Sequence, residues 1–175
     1  TPANANVGDH SVVITATDAA GATVTDTFTI SVANTNDAPT ITSTAVTAAT
    51  EDAAYTYTVT TADVDSSDTV TLTGTTVPGW MTFTAATGVL AGTPANANVG
   101  DHSVVITATD GDATVTDTFT ITVANTDDAT TGAVTVTGDA YDDEILTAVT
   151  TALADDDGMG TFTYQWANQD GDITG

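Results

Sequence analysis

One sequence occurs twice in the chain: Thr1–Asp18 reads TPANANVGDHSVVITATD, and Thr93–Asp110 reads the same eighteen letters. The repetition continues after a short gap, because Ala22–Asp37 and Ala113–Asp128 agree at 14 of 16 positions. The spacing between equivalent residues falls from 92 to 91 across the gap, which places the length change at a predicted hairpin tip. A period of about ninety residues is typical of an independent β-domain and is too long for a solenoid.

The residue types of the middle repeat predict an all-β fold, because the abundant Thr and Val are β-branched and favour pleated strands. Alternation of apolar and polar residues between turn signals predicts seven strands. They are Thr40–Val46, Ala54–Thr61, Thr69–Thr75, Trp80–Thr84, Val89–Gly92, His102–Thr109 and Ala113–Ala124. Seven short strands in this length predict antiparallel, immunoglobulin/cadherin-like β-sandwiches in tandem.

The last two strands of the repeat each present one apolar face to the predicted core. These inward residues are His102, Val104, Ile106 and Ala108 on one strand and Phe119, Ile121 and Val123 on the next. Asp117, like Asp26 in the first copy, lies on the same face of its strand as the predicted core residues. We expect a β-bulge to turn its side chain outward; the alternative is a functional buried carboxylate.

The repeat divides the chain into three parts. Residues 1–37 hold the last two strands of a repeat, 38–128 a complete repeat, and 129–175 the beginning of a different one. In the third part we expect strands at Gly132–Gly138, Glu144–Thr151 and Thr161–Trp166, with Trp166 packed in the core. The incomplete first and last parts have two explanations. Either neighbouring residues of a longer tandem array complete them, or chains join head to tail by exchanging strands into a filament.

The charge of the chain excludes two classes of partner. There are 24 Asp and Glu residues and no Lys or Arg, so the formal charge at pH 7 is −24. Nucleic acids and anionic membranes are both bound through basic side chains, so we expect neither nucleic-acid binding nor direct membrane insertion. The acids are 22 Asp and only two Glu. Asp is the residue of turns and of calcium loops, so a metal ion becomes the leading question.

Several motifs resemble a known family. Val77–Phe83 (VPGWMTF) and Thr87–Pro94 (TGVLAGTP) resemble the signature of the immunoglobulin-like and dystroglycan-type cadherin-like repeats of giant bacterial surface adhesins. Val104–Asp110 resembles the V-x-A-x-D strand of cadherins, and Asn34–Pro39 (NTNDAP) resembles their interdomain calcium linker. Residues 129–175 are similar to another immunoglobulin-like repeat found beside the first in such adhesins.

The resemblance implies Ca²⁺ ions at the junctions between repeats. At the first junction it implies a ligand set of Asp9, Asn34, Asn36, Asp37, Asp63, Asp65 and Asp110. At the second junction the implied set is Glu51, Asp101, Asn125, Asp127, Asp128, Asp155, Asp156 and Asp157. Chemistry agrees, because Ca²⁺ takes six to eight oxygen ligands and Asp and Asn side chains supply them. The alternative is that these residues form turns and keep the surface soluble.

The expected function is structural. The resemblance implies an extracellular, calcium-rigidified stalk segment of a cell-surface adhesin or filament, active in cell adhesion or biofilm formation, whose partners are neighbouring repeats. The alternative is a loop-based module that binds carbohydrate or protein, with Tyr55, Tyr57, Trp80 and Phe83 as a platform, although alternation favours core packing. We expect no enzyme, since one His per repeat (His10, His102) without Cys or a serine elbow assembles no catalytic group; we expect each His to be structural.

Overall fold

A computed structural model describes residues 1–139, 141, 144–168 and 171–173, the last four of these for the backbone alone. The chain forms two compact units, Thr1–Ala124 and Asn125–Gly175. The three-part division of the chain by repeats stays a prediction. None of the helices in the described ranges is long and apolar enough to cross a membrane.

The first unit is all-β apart from two 3₁₀ turns, one before each copy of the repeated hairpin, at Asn4–Asn6 and Asn96–Asn98. Its strands are β1 (Gly8–Thr17), β2 (Thr23–Val32), β3 (Thr40–Ile41), β4 (Ala48–Thr50), β5 (Tyr55–Thr58), β6 (Thr61–Ala62), β7 (Thr71–Thr76), β8 (Met81–Thr84), β9 (Val89–Gly92), β10 (Gly100–Thr109) and β11 (Thr114–Ala124).

Two sheets of the first unit form the predicted sandwich. One has the strand order β4-β11-β10-β7 and the other β5-β9-β8, while β3 pairs with β6 and β1 pairs with β2 as separate two-stranded sheets. All pairs are antiparallel except β4 with β11, which run parallel. The fold class predicted from the sequence, an immunoglobulin-like β-sandwich, is confirmed, and β9 has the predicted bounds.

The core lies between these two sheets. Buried side chains from both sheets meet there: Tyr55, Tyr57, Val59, Met81 and Leu90 from one side, and Val104, Ile106 and Ile121 from the other. Phe119 and Trp80 are half-buried against this cluster, and Tyr57 meets Phe119 edge to face at 5.7 Å between ring centroids. The predicted core faces of β10 and β11 are therefore confirmed.

The tight turn before β9 needs a glycine. Gly88 has a φ of +69°, and a Cβ atom at this position would collide with the carbonyl oxygen of Val59. The same close approach lets the Val59 amide donate a hydrogen bond to the Gly88 carbonyl at 2.8 Å. The glycine of the T-G-V-L-A-G motif therefore brings β5 and the β8–β9 turn together.

The bulge predicted at Asp117 is wrong. The β10–β11 register runs without a shift from Gly100 opposite Val123 to Thr109 opposite Thr114, and Asp117 lies opposite Ile106. Asp117 keeps its inward parity but is only half-buried. The carboxylate reaches water because β4 pairs with β11 only at Thr122–Ala124, which leaves this part of β11 at a sheet edge.

In the described residues of the second unit the strands are β12 (Thr135–Thr137), β13 (Thr147–Val149), β14 (Trp166–Asn168) and β15 (Gly171–Ile173). They form two antiparallel pairs, β12 with β13 and β14 with β15. The predicted strand Thr161–Trp166 is wrong apart from its last residue, and Trp166 is 39% exposed rather than packed in a core. No side chain is buried among residues 125–139, 141 and 144–167.

The internal repeat supplies a matched test of the core. Ile106 is fully buried, whereas Ile14, at the same position of the identical sequence, is 56% exposed. We expect Ile106→Ala to lower the free energy of unfolding of the sandwich by about 2–5 kcal/mol, because it leaves a cavity. Ile14→Ala should change it by less than about 0.5 kcal/mol. Urea unfolding followed by Trp80 fluorescence, in a Trp166→Phe background, measures both; equal losses would contradict the fold.

Candidate functional site

The linker between β2 and β3 meets the sandwich at Asp37, the one acidic residue of the linker. The backbone N–H of Asp37 donates to Oδ2 of Asp65 at 2.7 Å. The side-chain amide of Asn4 donates to Oδ2 of Asp37 at 2.7 Å and to Oδ1 of Asp65 at 3.4 Å. Two carboxylates from different parts of the chain thus lie against one amide nitrogen, and the hairpin β1–β2 is tied to the sandwich at this point.

The loop between β6 and β7 presents the Asp63-Val64-Asp65 motif to this linker. The Asp65 N–H donates to Oδ1 of Asp63 at 2.9 Å, which closes a turn around the motif. Asp65 is only 4% exposed. The second oxygen of Asp63, Oδ2, is shielded from solvent and accepts no hydrogen bond from any residue that the structure describes. A shielded carboxylate oxygen without a donor is costly, and a cation would compensate it.

Asp110 ends β10 beside the same linker. Its Oδ1 accepts hydrogen bonds from the N–H groups of Ala113 (2.6 Å) and Asp112 (2.8 Å), and its Oδ2 accepts one from the Asn36 amide at 3.1 Å. The hydrogen bond from Ala113, with smaller contributions from Asn36 and Asp112, holds the pKa of Asp110 below its ordinary value of 3.8 against the opposing effect of burial. Asp110 is therefore ionised at neutral pH and available as a ligand.

Hydrogen bonds around the linker between β2 and β3 connect five of the seven ligands predicted at the first junction. These five are Asn36, Asp37, Asp63, Asp65 and Asp110. The other two lie outside this group. Asp9 accepts a hydrogen bond from the Ser31 hydroxyl across the hairpin, and Asn34 is exposed, with no side-chain hydrogen bond to any described residue. Their roles as ligands stay predictions from the resemblance.

The sequence analysis missed Asn4, which bridges the two carboxylates. The signal was present, because Asn4 lies in the repeated T-P-A-N-A-N segment, yet no apolar period or acidic motif marks it. The 3₁₀ turn at Asn4–Asn6 presents this amide to the linker, and the His10 ring bonds the Asn6 carbonyl at 2.7 Å to hold the turn. His102 makes the same bond to the Asn98 carbonyl at 2.6 Å, so the predicted structural role of both histidines is confirmed.

The residues predicted at the second junction are divided between the two compact units, Thr1–Ala124 and Asn125–Gly175. In the first unit, Asp101 accepts a hydrogen bond from the Thr122 hydroxyl at 2.6 Å, as its equivalent Asp9 does from Ser31. Glu51 follows β4 and is 2% exposed. In the second unit, Asn125, Asp127 and Asp156 are exposed.

Asp128, Asp155 and Asp157 reproduce the linker geometry inside the second unit. The Asp157 N–H donates to Oδ1 of Asp155 at 3.0 Å, as the Asp65 N–H does to Asp63. The Asp128 N–H donates to Oδ2 of Asp157 at 2.6 Å, as the Asp37 N–H does to Asp65. A linker Asp that docks its amide onto a D-x-D turn is therefore a recurrent device of this chain.

The side chains around the linker between β2 and β3 suit a hard cation as its ligands. All the side-chain ligands there are carboxylate or amide oxygens, which Ca²⁺ prefers. In residues 1–124, however, no three carboxylates bring oxygens within 4.8 Å of one another. The linker site therefore consists of paired carboxylates with amide groups around them, and a bound ion would draw further oxygens inward.

The middle of the chain is similar to a known family and to solved structures. Residues 38–124 match the model of the family described as "Putative Ig domain". Extracellular cadherin domains 3–6 of protocadherin gamma B2 are similar at 14% identity and a TM-score of 0.48, over 77% of this chain and 34% of that one. An endo-fucoidan hydrolase of glycoside hydrolase family 107 is similar at 25% identity and a TM-score of 0.45, over 71% and 20%. This chain thus spans about a third and a fifth of their lengths, and no curated protein matches it.

The lowered pKa of Asp110 predicts an acid-dependent contribution to stability. Because the folded state holds the proton less tightly than the unfolded state, the ionised side chain stabilises the fold above pH 3.8. This contribution is lost as the pH falls through the lower folded-state pKa. Asp110→Asn should therefore destabilise the sandwich at pH 7 and much less at pH 2–3.

Urea unfolding at the two pH values checks this expectation. Asp18→Asn is the matched control, since Asp18 occupies the equivalent turn and accepts bonds from Ala20 and Ala22 but none from the linker. A loss of stability in Asp110→Asn that is the same at both pH values would show that ionisation is irrelevant.

Proposed function

Residues 38–124 are an immunoglobulin/cadherin-like repeat, and from that premise we propose that the chain is a calcium-rigidified extender segment of a large secreted surface protein. In this proposal it belongs to the stalk of an adhesin or to an extracellular filament and supports cell adhesion or biofilm formation. The fold itself is that of a structural or adhesion-type module, and immunoglobulin/cadherin-like domains are typically extracellular and without catalytic activity.

One observation carries the proposal: the carboxylates of Asp37 and Asp65 share the amide nitrogen of Asn4, and the donors that the structure gives them are amide groups. The chain supplies no Lys or Arg to pair with either. Two unit charges about 4 Å apart repel by about 1 kcal/mol in water and about 4 kcal/mol at an effective dielectric constant of 20. The hairpin and the sandwich are therefore held together at a place where their charges oppose docking.

A divalent cation removes this opposition. Asp37, Asp63, Asp65, Asn36 and Asp110 would hold it, with Oδ2 of Asp63 as a shielded ligand that has no other partner among the described residues. The Asn4 amide has an oxygen as well as a nitrogen, so a half-turn of this amide presents an acceptor to the ion. Ca²⁺ accepts such mixed carboxylate and carbonyl sets at flexible geometry, whereas Mg²⁺ demands a near-ideal octahedron and sheds its water reluctantly.

Binding at a linker stiffens the chain because the ion joins groups on both sides of it. Asn36 and Asp37 belong to the linker, whereas Asp63, Asp65 and Asp110 belong to loops of the sandwich. Fixing these groups to one ion removes the freedom of the backbone between β2 and β3. Near-identical repeated hairpins suit this role, because units that supply length need no individual specificity.

The alternative, a carbohydrate- or protein-binding module, needs an exposed aromatic platform. Trp80 instead packs edge-on against Tyr55 at 6.1 Å and His102 at 5.7 Å between ring centroids. Tyr55 and Tyr57 are buried, and the Tyr55 hydroxyl donates to the Val46 carbonyl at 2.7 Å. Burial, with a smaller effect of Tyr57, raises the pKa of Tyr55 to about 12, as expected for a core phenol. The aromatic residues thus serve the core, which favours the structural proposal.

We expect the full chain to bind Ca²⁺ with a dissociation constant of about 10⁻⁴–10⁻³ M, the range of extracellular modules. Ten times that concentration should raise the free energy of unfolding by about 1.4 kcal/mol. Asp65→Asn keeps the size of the side chain and an acceptor oxygen for the Asp37 N–H but removes the charge. The heat released when Ca²⁺ binds at the first junction should therefore be lost in this variant. Isothermal titration calorimetry and thermal unfolding with Ca²⁺ or a chelator measure these effects.

Asp18→Asn is the charge-matched control and should leave the titration unchanged, because Asp18 lies at the hairpin tip. Small-angle scattering of the same samples should show a longer particle with millimolar Ca²⁺ than with chelator. An unchanged particle, or equal titrations for Asp65→Asn and the parent chain, would contradict the proposal.

A further inference from the structure

Asp117 is placed unlike the other acidic residues of the middle repeat. Residues 38–124, all of which the structure describes, contain nine Asp and Glu residues, and eight of them lie in loops, in turns or at the second residue of a strand. Asp117 alone lies in the middle of a strand, on the face of β11 that carries Phe119 and Ile121. No described residue donates a hydrogen bond to its carboxylate. An unpartnered, half-buried carboxylate on an inward face costs stability, so its place needs a reason.

The strand that carries Asp117 has an open edge. β4 pairs with β11 only at Thr122–Ala124, and β3, which also contacts β11, pairs with β6 instead. The Thr122 N–H bonds the Thr47 carbonyl on the β4 side. Alternate residues of a regular strand direct their N–H and C=O groups to the same side. The groups that face the open edge, where no described strand accepts them, therefore belong to Thr114, Thr116, Thr118 and Thr120.

The other outer strand of this sheet, β7, is protected in a different way. Thr76 lies opposite Val105 and Gly74 lies opposite Ile106, so β7 has an extra residue at this point, which is a β-bulge. Bulges and inward-pointing charges are both means by which proteins keep the edges of sheets from pairing with other chains. β11 has no bulge, because its register with β10 is unbroken, but it has the inward charge of Asp117.

A second copy of this chain is the partner whose chemistry matches the open edge. The segment Thr114–Ile121 reads TVTDTFTI, recurs letter by letter at Thr23–Ile30, and is uncharged apart from its Asp. Two such segments paired antiparallel in one sheet place Thr beside Thr on one face and Val, Phe and Ile together on the other. The carboxylates would lie on that apolar face, and a chain without Lys or Arg has no cationic side chain to neutralise them.

We propose that Asp117 prevents self-association: it keeps the open edge of β11 from pairing with the same segment of a second copy of this chain. Pairing would cover the half-buried carboxylate and remove it from water without giving it a partner. The cost of an Asp on the inward face thus keeps identical strands apart, which matters in a chain that holds this segment twice. The inference rests neither on calcium binding nor on the proposed function.

Replacement of Asp117 in the full chain tests the proposal. Asp117→Val removes the charge and adds an apolar, β-branched side chain to the inward face. In sedimentation velocity we expect this variant to form dimers or larger species whose share rises with protein concentration, whereas the parent chain stays monomeric. Asp112→Val is the matched control, because it makes the same replacement at the exposed turn before β11, and it should also stay monomeric. All samples contain a chelator, so that calcium takes no part.

Two blocking variants test whether this edge mediates the association. Asp117→Val/Thr118→Pro removes an N–H group that faces the open edge and not β10. Val115→Asp/Asp117→Val keeps the composition of the parent chain and restores a charge to the inward face. Both should be monomeric, with the near-UV circular dichroism of the packed aromatic residues retained.

The proposal is overturned if Asp117→Val is monomeric at every concentration or associates no more than Asp112→Val. It is also overturned if Asp117→Val loses the near-UV signal, or if a folded blocking variant associates as strongly as Asp117→Val.

Discussion

All the formal charges of the side chains at neutral pH are negative, and the site chemistry depends on this constraint. With 24 carboxyl groups and no Lys or Arg, acidic side chains are held by neutral donors. Asp9 and Asp101 accept hydrogen bonds from hydroxyl groups, and Asp18 and Asp110 accept them from backbone N–H groups. Asp37 accepts one from the side-chain amide of Asn4. Neutral donors orient a carboxylate but do not cancel its charge. Where two carboxylates share one amide, as those of Asp37 and Asp65 share that of Asn4, the remaining charge is the basis of the proposal that a cation binds there.

Packing follows a separate constraint, the need of each amphipathic hairpin for a covering layer. A hairpin alone is marginally stable in water, and three or more strands with a covered apolar face are needed for independent stability. The structure shows both situations with one sequence, because β10–β11 is covered by side chains from residues 38–92 whereas the same face of β1–β2 is exposed. Burial is thus a property of the neighbour as much as of the sequence, and the same side chain at Ile14 and Ile106 has opposite roles.

The sequence predicted the sandwich and the core faces of β10 and β11, because alternation of apolar and polar residues along a long strand shows which side chains point inward. It failed where the chain changes its pairing partner. The predicted strand Ala54–Thr61 is divided, since its first part pairs with β9 as far as the bond from the Val59 N–H to the Gly88 carbonyl, whereas from Thr60 onward it pairs with β3. Asn4 was missed for a related reason: its role depends on a 3₁₀ turn and on a linker 33 residues away, which no local pattern reveals.

Of the predicted ligands of the first junction, those within the D-x-D turn, the linker and the end of β10 converge, whereas Asp9 and Asn34 do not. The converging residues were expected because the linker, the D-x-D motif and the end of β10 resemble the calcium-binding segments of cadherin-like repeats. Asp9 lies in a regular strand opposite Ser31, and the hydroxyl of Ser31 donates a hydrogen bond to its carboxylate across the hairpin.

Amide hydrogen exchange at Asp37 tests the central claim most directly, because this N–H is bonded to Asp65 at 2.7 Å and reports the docking of the linker on the sandwich. The Ala22 N–H, bonded to Asp18 at 2.8 Å in a hairpin turn, is the internal reference. The account predicts that millimolar Ca²⁺ slows exchange at Asp37 relative to chelator and leaves Ala22 unchanged. Equal exchange at Asp37 with Ca²⁺ and with chelator would contradict it.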